Sequence, residues 1–248
     1  MNAPTRTATT KSATAPLDVF LSVDVECDCP PYMTTWRGVD EGIPRLLRLF
    51  AEEGVGATFY TTGEAAEKFP ERMEAIVAAG HELGCHGHTH RRFREMDAAE
   101  ARAEIADANA VLRRYGPVTS FRSPYLSFPE AFVPLLTAEG ITVDASRAAY
   151  KVQEPPYAGA DAPARLATSV TSSVLRLPRV VRNPWFARLA SPVSLFVHPW
   201  EFVDFRSSDL RLDCRFRTGD PALDRLRTTI RWFAKRGATF RLARDLAA

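Results

Sequence analysis

Short apolar runs alternate with amphipathic segments along most of the chain. Residues 19–25, 57–62 and 193–198 are nearly continuous apolar runs, which are typical of parallel strands buried on both faces. Residues 43–50 instead repeat apolar positions at helical spacing and stop before Gly54. Repeated strand–helix units predict an α/β fold with a parallel sheet. The periodicity does not choose between a doubly wound sheet and a barrel.

The same patterns predict the remaining elements. Further helices are expected at residues 71–79, 97–116, 129–138 and 221–236. The second of these begins with Asp97 and Glu100 in a capping-box pattern. Further strands are expected at residues 119–122, 141–144, 174–177 and 238–241, with a short one ending at Cys85. The stretch 145–171 is long and irregular, which is typical of a lid or a binding loop.

Composition and charge exclude several classes of protein. The 32 basic and 30 acidic side chains are interleaved, so no basic face for nucleic acid is predicted. No apolar run approaches the ~20 residues that span a bilayer. Residues 1–16 lack the apolar core of a secretory signal, so we expect a flexible tail before a single domain over residues 17–248. Four unevenly spaced cysteines are too few for a disulfide scaffold, which favours a reduced, cytoplasmic protein.

Polar residues follow the predicted strands, at the edge where parallel α/β folds build their sites. Asp24 and Glu26 end the first strand two residues apart, so they share one face of it. Two acidic groups on an apolar strand require a cation or a hydrogen-bond partner if they are buried. A strand end that frays into solvent is the alternative.

Three of the five histidines lie within residues 86–90. His86 and His90 are four residues apart and share a face, whereas His88 joins them only in an extended chain. Two imidazoles and a carboxylate from elsewhere make a typical open site for a divalent metal. A structural histidine pair is the alternative, but the density of histidines after a short strand favours a metal.

Three more strand ends carry polar residues. Arg122 starts the sequence Arg-Ser-Pro-Tyr and is able to hold a carboxylate through two hydrogen bonds. Asp144 and His198 each close an apolar run. Considered alone, Arg122 is equally consistent with a surface ion pair, and His198 with a core histidine whose ring nitrogens are hydrogen-bonded.

Several neighbouring residues have a second possible role. Cys27 and Cys85 adjoin the candidate ligands but point to the opposite strand face, so we expect them to be packing residues. Asp28 is a reserve ligand. Three tryptophans are candidates for a wall that stacks on a sugar, although aromatic residues at such positions are more often core: Trp36, Trp185 and Trp200.

In their order along the chain, these motifs resemble those of the polysaccharide deacetylase family, the carbohydrate esterases related to the nodulation chitooligosaccharide deacetylases. The resemblance extends from about residue 17 to the C-terminus and is most specific at His86 and His90, at residues 122–125 and at His198. It implies a distorted, incomplete (β/α) barrel of about seven parallel strands that forms one catalytic domain. It also implies a divalent metal cofactor, with zinc as the first candidate.

The resemblance also implies a ligand set and a base. His86 and His90 match the two histidine ligands, and Asp24 matches the catalytic base. The usual Thr-Phe-Asp-Asp-Gly motif reads Ser-Val-Asp-Val-Glu here. The family's third metal ligand is the second Asp, which is Val25 in this chain, so Glu26 is expected to take its place. Branches of the family with altered ligands include metal-independent ureide hydrolases.

The remaining roles are implied in the same way. Arg122 holds the base, the backbone N–H of Tyr125 stabilises the oxyanion together with the metal, and Trp200 contacts the substrate. His198 protonates the leaving amine, and Asp144 pairs with it and raises its pKa. The usual Trp shortly after this Asp is absent here.

The resemblance predicts a metal-dependent hydrolase of linear amides that removes an acetyl or formyl group from an amino sugar or a similar small acylated amine. Residues 36–47 look like the branch that deformylates lipid-linked aminoarabinose, so a small or lipid-linked substrate is expected. The alternatives are a metal-independent ureide or amide hydrolase of the same fold and an inactive sugar-binding homologue.

Overall fold

The computed structural model describes residues 16–151 and 162–247. Within them, eight strands form one sheet in which every pairing is parallel. The strands are β1 (Leu17–Val25), β2 (Thr58–Thr61), β3 (Glu82–Cys85), β4 (Ser120–Phe121), β5 (Val143–Asp144), β6 (Ala164–Arg165), β7 (Val193–Val197) and β8 (Ala238–Arg241). Their order is β6-β5-β4-β3-β2-β1-β7, and β8 pairs with β1.

Helices connect the strands. They are α1 (Ile43–Glu53), α2 (Gly63–Lys68), α3 (Pro70–Ala78), α4 (Ala98–Leu112), α5 (Val133–Ala138), α6 (Ser172–Leu175), α7 (Arg179–Phe186), α8 (Leu212–Arg215) and α9 (Asp220–Ala234). A π-helical turn, Gly38–Gly42, precedes α1, and a 3₁₀ turn, Pro199–Phe202, follows β7. Among the described helices, none is both long and apolar enough to cross a bilayer.

Strand β1 lies at the centre of the sheet and has three partners. Val19 and Phe20 pair with β7 and also with β8, so these two strands flank the first half of β1 on opposite sides. From Ser22 onward, β1 pairs with β2 on the same side on which its first residues pair with β8. Strand β1, which leads to Asp24 and Glu26, is therefore paired on both sides as far as Val23.

The barrel is incomplete between β6 and β7. No strand ladder joins these two strands in the described part of the chain. The segment after β6 crosses the gap instead, where the Ser169 N–H donates to the Ser194 carbonyl at 2.8 Å. The curled, incomplete (β/α) barrel of parallel strands predicted above is confirmed.

The two faces of β1 bury different kinds of side chain. Val19, Leu21, Val23 and Val25 pack into the main apolar core against the surrounding helices. Phe20 belongs to a second, smaller cluster with side chains from β2 and β5. Because side chains alternate along a strand, Asp24 and Glu26 lie on the same face as Phe20.

Most predicted elements are confirmed within one to three residues, and the Asp97–Glu100 capping box forms as expected. The strand predicted at residues 174–177 is wrong, because this segment lies in helix α6 and the turn after it. A four-residue apolar run carries no periodicity that separates a strand from a helix. Helices α2 and α7 and strand β6 were not predicted. The predicted tail up to residue 15, and residues 152–161 of the predicted long loop, lie outside the described residues.

Candidate active site

The carboxyl ends of the strands surround a cavity of about 500 Å³. It brings together side chains from distant parts of the sequence, from Asp24 to Cys214. Its lining includes Asp24, Glu26, His86, His90, Tyr125, His198 and Trp200. Seven of the nine predicted site residues therefore line this cavity, and Arg122 lies directly behind Asp24.

Glu26, His86 and His90 form the one group in the described residues whose geometry fits a metal ion. Their candidate ligand atoms all lie within 4.8 Å of one another. Glu26 Oε2 is 3.3 Å from His86 Nε2 and 2.6 Å from His90 Nε2. One carboxylate and two imidazoles are a donor set that suits zinc and other first-row divalent ions.

The segment between the two histidines is neither a helix nor a strand. Gly87 and His90 both have left-handed backbone conformations, with φ of 75° and 59°. Glu104, a buried residue of α4, accepts hydrogen bonds from the Thr89 backbone at 2.6 Å and from its hydroxyl at 3.0 Å. Glu104 was not identified from the sequence, yet it anchors the loop that turns His90 toward Glu26. His88 points away, toward Glu67 at 3.9 Å.

The protonation of the ligand set also suits a cation. His86 Nδ1 lies 2.6 Å from the Arg122 carbonyl, which can only accept, so Nδ1 carries the proton and Nε2 offers its lone pair to the site. Burial raises the pKa of Glu26, but His90 and His86 outweigh it and hold that pKa well below its usual range. The site therefore presents an ionised carboxylate.

Arg122 holds Asp24, as predicted, although not through two parallel bonds. Its side chain is fully buried, and Nη1 donates to Asp24 Oδ1 at 2.6 Å and to the Ser22 hydroxyl at 2.7 Å. Nε donates to the Ala145 carbonyl at 3.3 Å. The guanidinium lies 4.3 Å from the centre of the Tyr60 ring, which fixes its plane. Asp24 is thus a buried carboxylate with a fixed orientation at the cavity wall.

His198 pairs with Glu201, and the predicted pairing with Asp144 is wrong. His198 Nδ1 is 2.9 Å from Glu201 Oε1, and Nε2 faces the metal site at 3.8 Å from Glu26 Oε1. Glu201 Oε2 forms a buried ion pair with Arg176 at 3.0 Å. Burial lowers the pKa of His198, but the bond to Glu201 and the charge of Glu26 outweigh it and raise that pKa to about 9.

Asp144 supports a different part of the site. Its Oδ1 accepts hydrogen bonds from the backbone N–H and the hydroxyl of Ser146. The Ser146 hydroxyl oxygen in turn accepts from the Ser123 N–H at 2.8 Å. Asp144 therefore fixes the turn that leads to Tyr125 rather than the histidine on the other side of the barrel.

Aromatic rings form two walls of the cavity. Trp200 stacks on His198 with ring centres 5.0 Å apart, and its indole N–H is buried. Tyr125, which has a left-handed backbone, packs 4.9 Å from the His90 ring and lies under the Arg92 guanidinium at 3.7 Å. Of the other two tryptophans proposed for a sugar wall, Trp36 packs on Phe69 and Trp185 is exposed on α7, outside this cavity.

The π-helical turn packs directly on the turn that carries Trp200. A Cβ on Gly38 would lie 2.4 Å from the backbone nitrogen of Trp200, and one on Gly42 would lie 2.2 Å from the Pro199 carbonyl oxygen. Asp28 is fully buried and accepts from the Gly38 N–H at 2.7 Å. Asp28 therefore holds this turn in place and is not a metal ligand.

Two of the four cysteines are paired. Cys29 and Cys214 form a disulfide at the cavity wall, which contradicts the expectation of fully reduced cysteines. Burial raises the pKa of the other two thiols, to about 11 for Cys27 and about 12 for Cys85. Cys85 is a buried packing residue, as predicted, whereas Cys27 is only partly buried.

Sequence comparisons agree with the geometry. A family model described as polysaccharide deacetylase matches residues 27–143. The peptidoglycan deacetylase of Helicobacter pylori is 33% identical over 107 residues, which are 42% of this chain and 36% of that protein. A chitooligosaccharide deacetylase of Sinorhizobium fredii is 32% identical over 85 residues, or 33% of this chain and 40% of that protein. The matched region thus spans roughly two-fifths or less of each of these relatives.

Solved structures share the fold. A family 4 carbohydrate esterase from Streptomyces lividans superposes with a TM-score of 0.61 at 17% identity, covering 90% of this chain and 91% of that one. A family 4 pseudoenzyme from Bacillus anthracis superposes with a TM-score of 0.66 at 17% identity, covering 94% of this chain and 66% of that one. At this level of identity the likeness concerns the architecture alone.

Proposed function

Because this chain belongs to the polysaccharide deacetylase family, we propose that it is a metal-dependent hydrolase that removes the acyl group from an N-acylated amino sugar or a similar small acylated amine. The observation that carries this proposal is the metal-ligand group Glu26, His86 and His90. It lies in one cavity with a carboxylate held by arginine and a histidine held by glutamate.

The proposed cofactor is a single divalent ion, with zinc as the first candidate. Glu26, His86 and His90 would supply three protein ligands and leave the cavity side open, as in catalytic zinc sites. An ion held there acts as a Lewis acid toward the amide carbonyl and lowers the pKa of water.

Asp24 is the proposed base. It ends its strand two residues before Glu26 and lines the same cavity. Arg122, whose Nη1 also donates to the Ser22 hydroxyl, keeps the Asp24 carboxylate in one orientation, so that the other oxygen is available to take a proton from the attacking water. The Tyr125 N–H is the proposed donor to the oxyanion that forms on the carbonyl oxygen.

His198 is the proposed acid. Its Nδ1 is occupied by Glu201, which leaves Nε2 as the nitrogen that faces the cavity and the leaving amine. Its raised pKa of about 9 keeps the ring protonated at neutral pH. A proton delivered from Nε2 allows the nitrogen to depart as a neutral amine rather than as an amide anion.

The proposed substrate is small or lipid-linked. A cavity of about 500 Å³ is within the range that encloses a small ligand, and Trp200 offers one aromatic surface for a sugar ring. The likeness of residues 36–47 to the deformylase branch supports the same choice. Structurally, this segment includes the two glycines that let the π-helical turn pack against Trp200.

Two measurements test the proposal. The purified chain should contain about one divalent ion per molecule, and it should release acetate or formate from N-acetyl or N-formyl hexosamines. Chelation should abolish this release, and added zinc should restore it. Full activity in the metal-free protein would favour the metal-independent ureide or amide hydrolase.

An inactive sugar-binding protein is the second candidate, because one structural neighbour of this chain is a pseudoenzyme. Sugar binding without release of acyl product, with the metal bound, would support it. The intact Asp24–Arg122 and His198–Glu201 pairs favour the enzyme.

A further inference from the structure

Helix α7 has an inverted distribution of polar and apolar side chains. Its inward face carries Arg182, which is fully buried, and Phe186. Its outward face exposes Val180 by 83%, Val181 by 54% and Trp185 by 44%. A surface helix of a soluble domain usually places its apolar residues inward and its charges outward. Among the residues that the structure describes, the outward face of α7 therefore takes little part in packing.

Polar bonds, rather than apolar packing alone, hold the helix in place. Arg182 Nη1 donates to the carbonyls of Leu175 at 2.7 Å and Arg225 at 2.9 Å. Arg182 Nη2 donates to the Thr228 hydroxyl at 2.6 Å. These bonds fix α7 on α9 through its inner face, so that its apolar outer face is held toward the solvent.

Arginines are the only acidic or basic side chains of Asp, Glu, Lys or Arg type in the sequence segment that contains α7. Residues 162–200 contain five arginines, of which Arg176 and Arg182 are buried, and no aspartate or glutamate. Two of these arginines, Arg179 and Arg188, are exposed at the two ends of α7. Asp224 is the acidic residue that shares a surface groove with Arg179, together with Arg217, Arg225 and Arg227. The apolar side chains thus lie within a predominantly basic surface.

We propose that the outer face of α7 docks on a bilayer that contains anionic lipids. Valine and tryptophan side chains gain by entering the interfacial region of a membrane, and arginines beside them are attracted to acidic headgroups. A nucleic acid would satisfy the arginines and stack on Trp185, but it would leave Val180 and Val181 in water. A second copy would bring two basic faces together, and like charges placed across an interface disfavour association.

Vesicle flotation of the full chain tests this proposal. The protein should float with vesicles of phosphatidylcholine and phosphatidylglycerol and bind pure phosphatidylcholine about tenfold more weakly, since the arginines contribute through the anionic headgroups. The double variant Val180→Glu/Val181→Glu should lose about tenfold or more of the binding to the mixed vesicles. The matched control is Ala75→Glu/Ala78→Glu, which adds the same two charges at exposed positions of α3.

Tryptophan fluorescence supplies an independent readout. Mixed vesicles should shift the emission of the wild type to the blue. Trp185→Phe should remove most of that shift while retaining most of the binding, because phenylalanine keeps an apolar ring.

Unfolding temperature and release of acyl product from a soluble substrate should be unchanged in the double variant, since both valines are exposed and lie outside the cavity. If the double variant unfolds, Val181→Ser replaces it. Equal vesicle binding by wild type and variant, or dimerisation of the wild type that the variant abolishes without vesicle binding, would overturn the proposal.

Discussion

The substitution Glu201→Gln isolates the charge that acts on His198. A glutamine retains the shape of the side chain and an oxygen that can still accept from His198 Nδ1, so the ring should keep its orientation. It removes the negative charge that the imidazolium faces, while Arg176 retains its hydrogen bonds to the carbonyls of Asp213, Cys214 and Phe216.

The expected size of the effect comes from the contact itself. A hydrogen bond to a charged group contributes about 1.5–3 kcal/mol, and one pKa unit corresponds to about 1.36 kcal/mol. Loss of the charge at 2.9 Å should therefore lower the pKa of His198 from about 9 by about one to two units. Since the acid works only when protonated, activity falls as the pH rises through this pKa, and the alkaline limb should move to lower pH.

The assay is the pH dependence of kcat/KM for an unactivated N-acetyl substrate, which reports groups of the free enzyme. Glu201→Asp is the control, because it keeps the charge but draws it back from the ring, and it should shift the limb less. Metal content is measured in each variant so that loss of the ion is not mistaken for loss of the acid. An alkaline limb at the wild-type position in fully metallated Glu201→Gln would refute the role given to this carboxylate.

Four further outcomes follow from the site and its supports. His90→Ala should lose both bound metal, measured by atomic emission, and acyl release; retention of both would contradict the ligand set. His198→Ala should lose far more activity on an unactivated amide than on an activated ester, and equal losses would exclude it as the leaving-group acid. Arg122→Met should lower the free energy of unfolding in urea by about 3–5 kcal/mol, because it leaves a buried carboxylate unpaired; a change below 1 kcal/mol would contradict this. Gly38→Ala should cost about 1–3 kcal/mol through collision with backbone, whereas Gly116→Ala, which has open space, should be neutral or slightly stabilising.

The candidate ligand set could be predicted because its signal is local. His86 and His90 lie in one short segment after a strand, and Glu26 follows another strand of a parallel sheet, whose carboxyl ends meet at one edge. The backbone path between the histidines could not be predicted in the same way. It depends on Glu104, a residue of α4 whose sequence neighbourhood shows only an ordinary helix.

The partner of His198, the proposed acid, was misassigned for a physical reason. Asp144 is the last residue of β5, a typical position for a site residue, but β5 lies toward the far end of the sheet from β7. Glu201 lies three residues after His198, within reach of the ring across a single 3₁₀ turn, and this spacing was a usable signal. The ion pair with Arg176 depends on how α6 packs beside that turn, which the residue pattern does not encode.

The position of β1 in the sheet also affects the order in which the site forms as the chain folds. The candidate ligands Glu26 and His86 are 60 residues apart and belong to neighbouring strand–helix units. Ser22 and Leu195, which join β1 to β7, are 173 residues apart. Closing a longer loop costs more conformational entropy, and distant strand pairing slows folding. We therefore expect the half with the candidate ligands to assemble first, so that an ion captured early would stabilise a folding intermediate before β7, which leads to the proposed acid His198, docks.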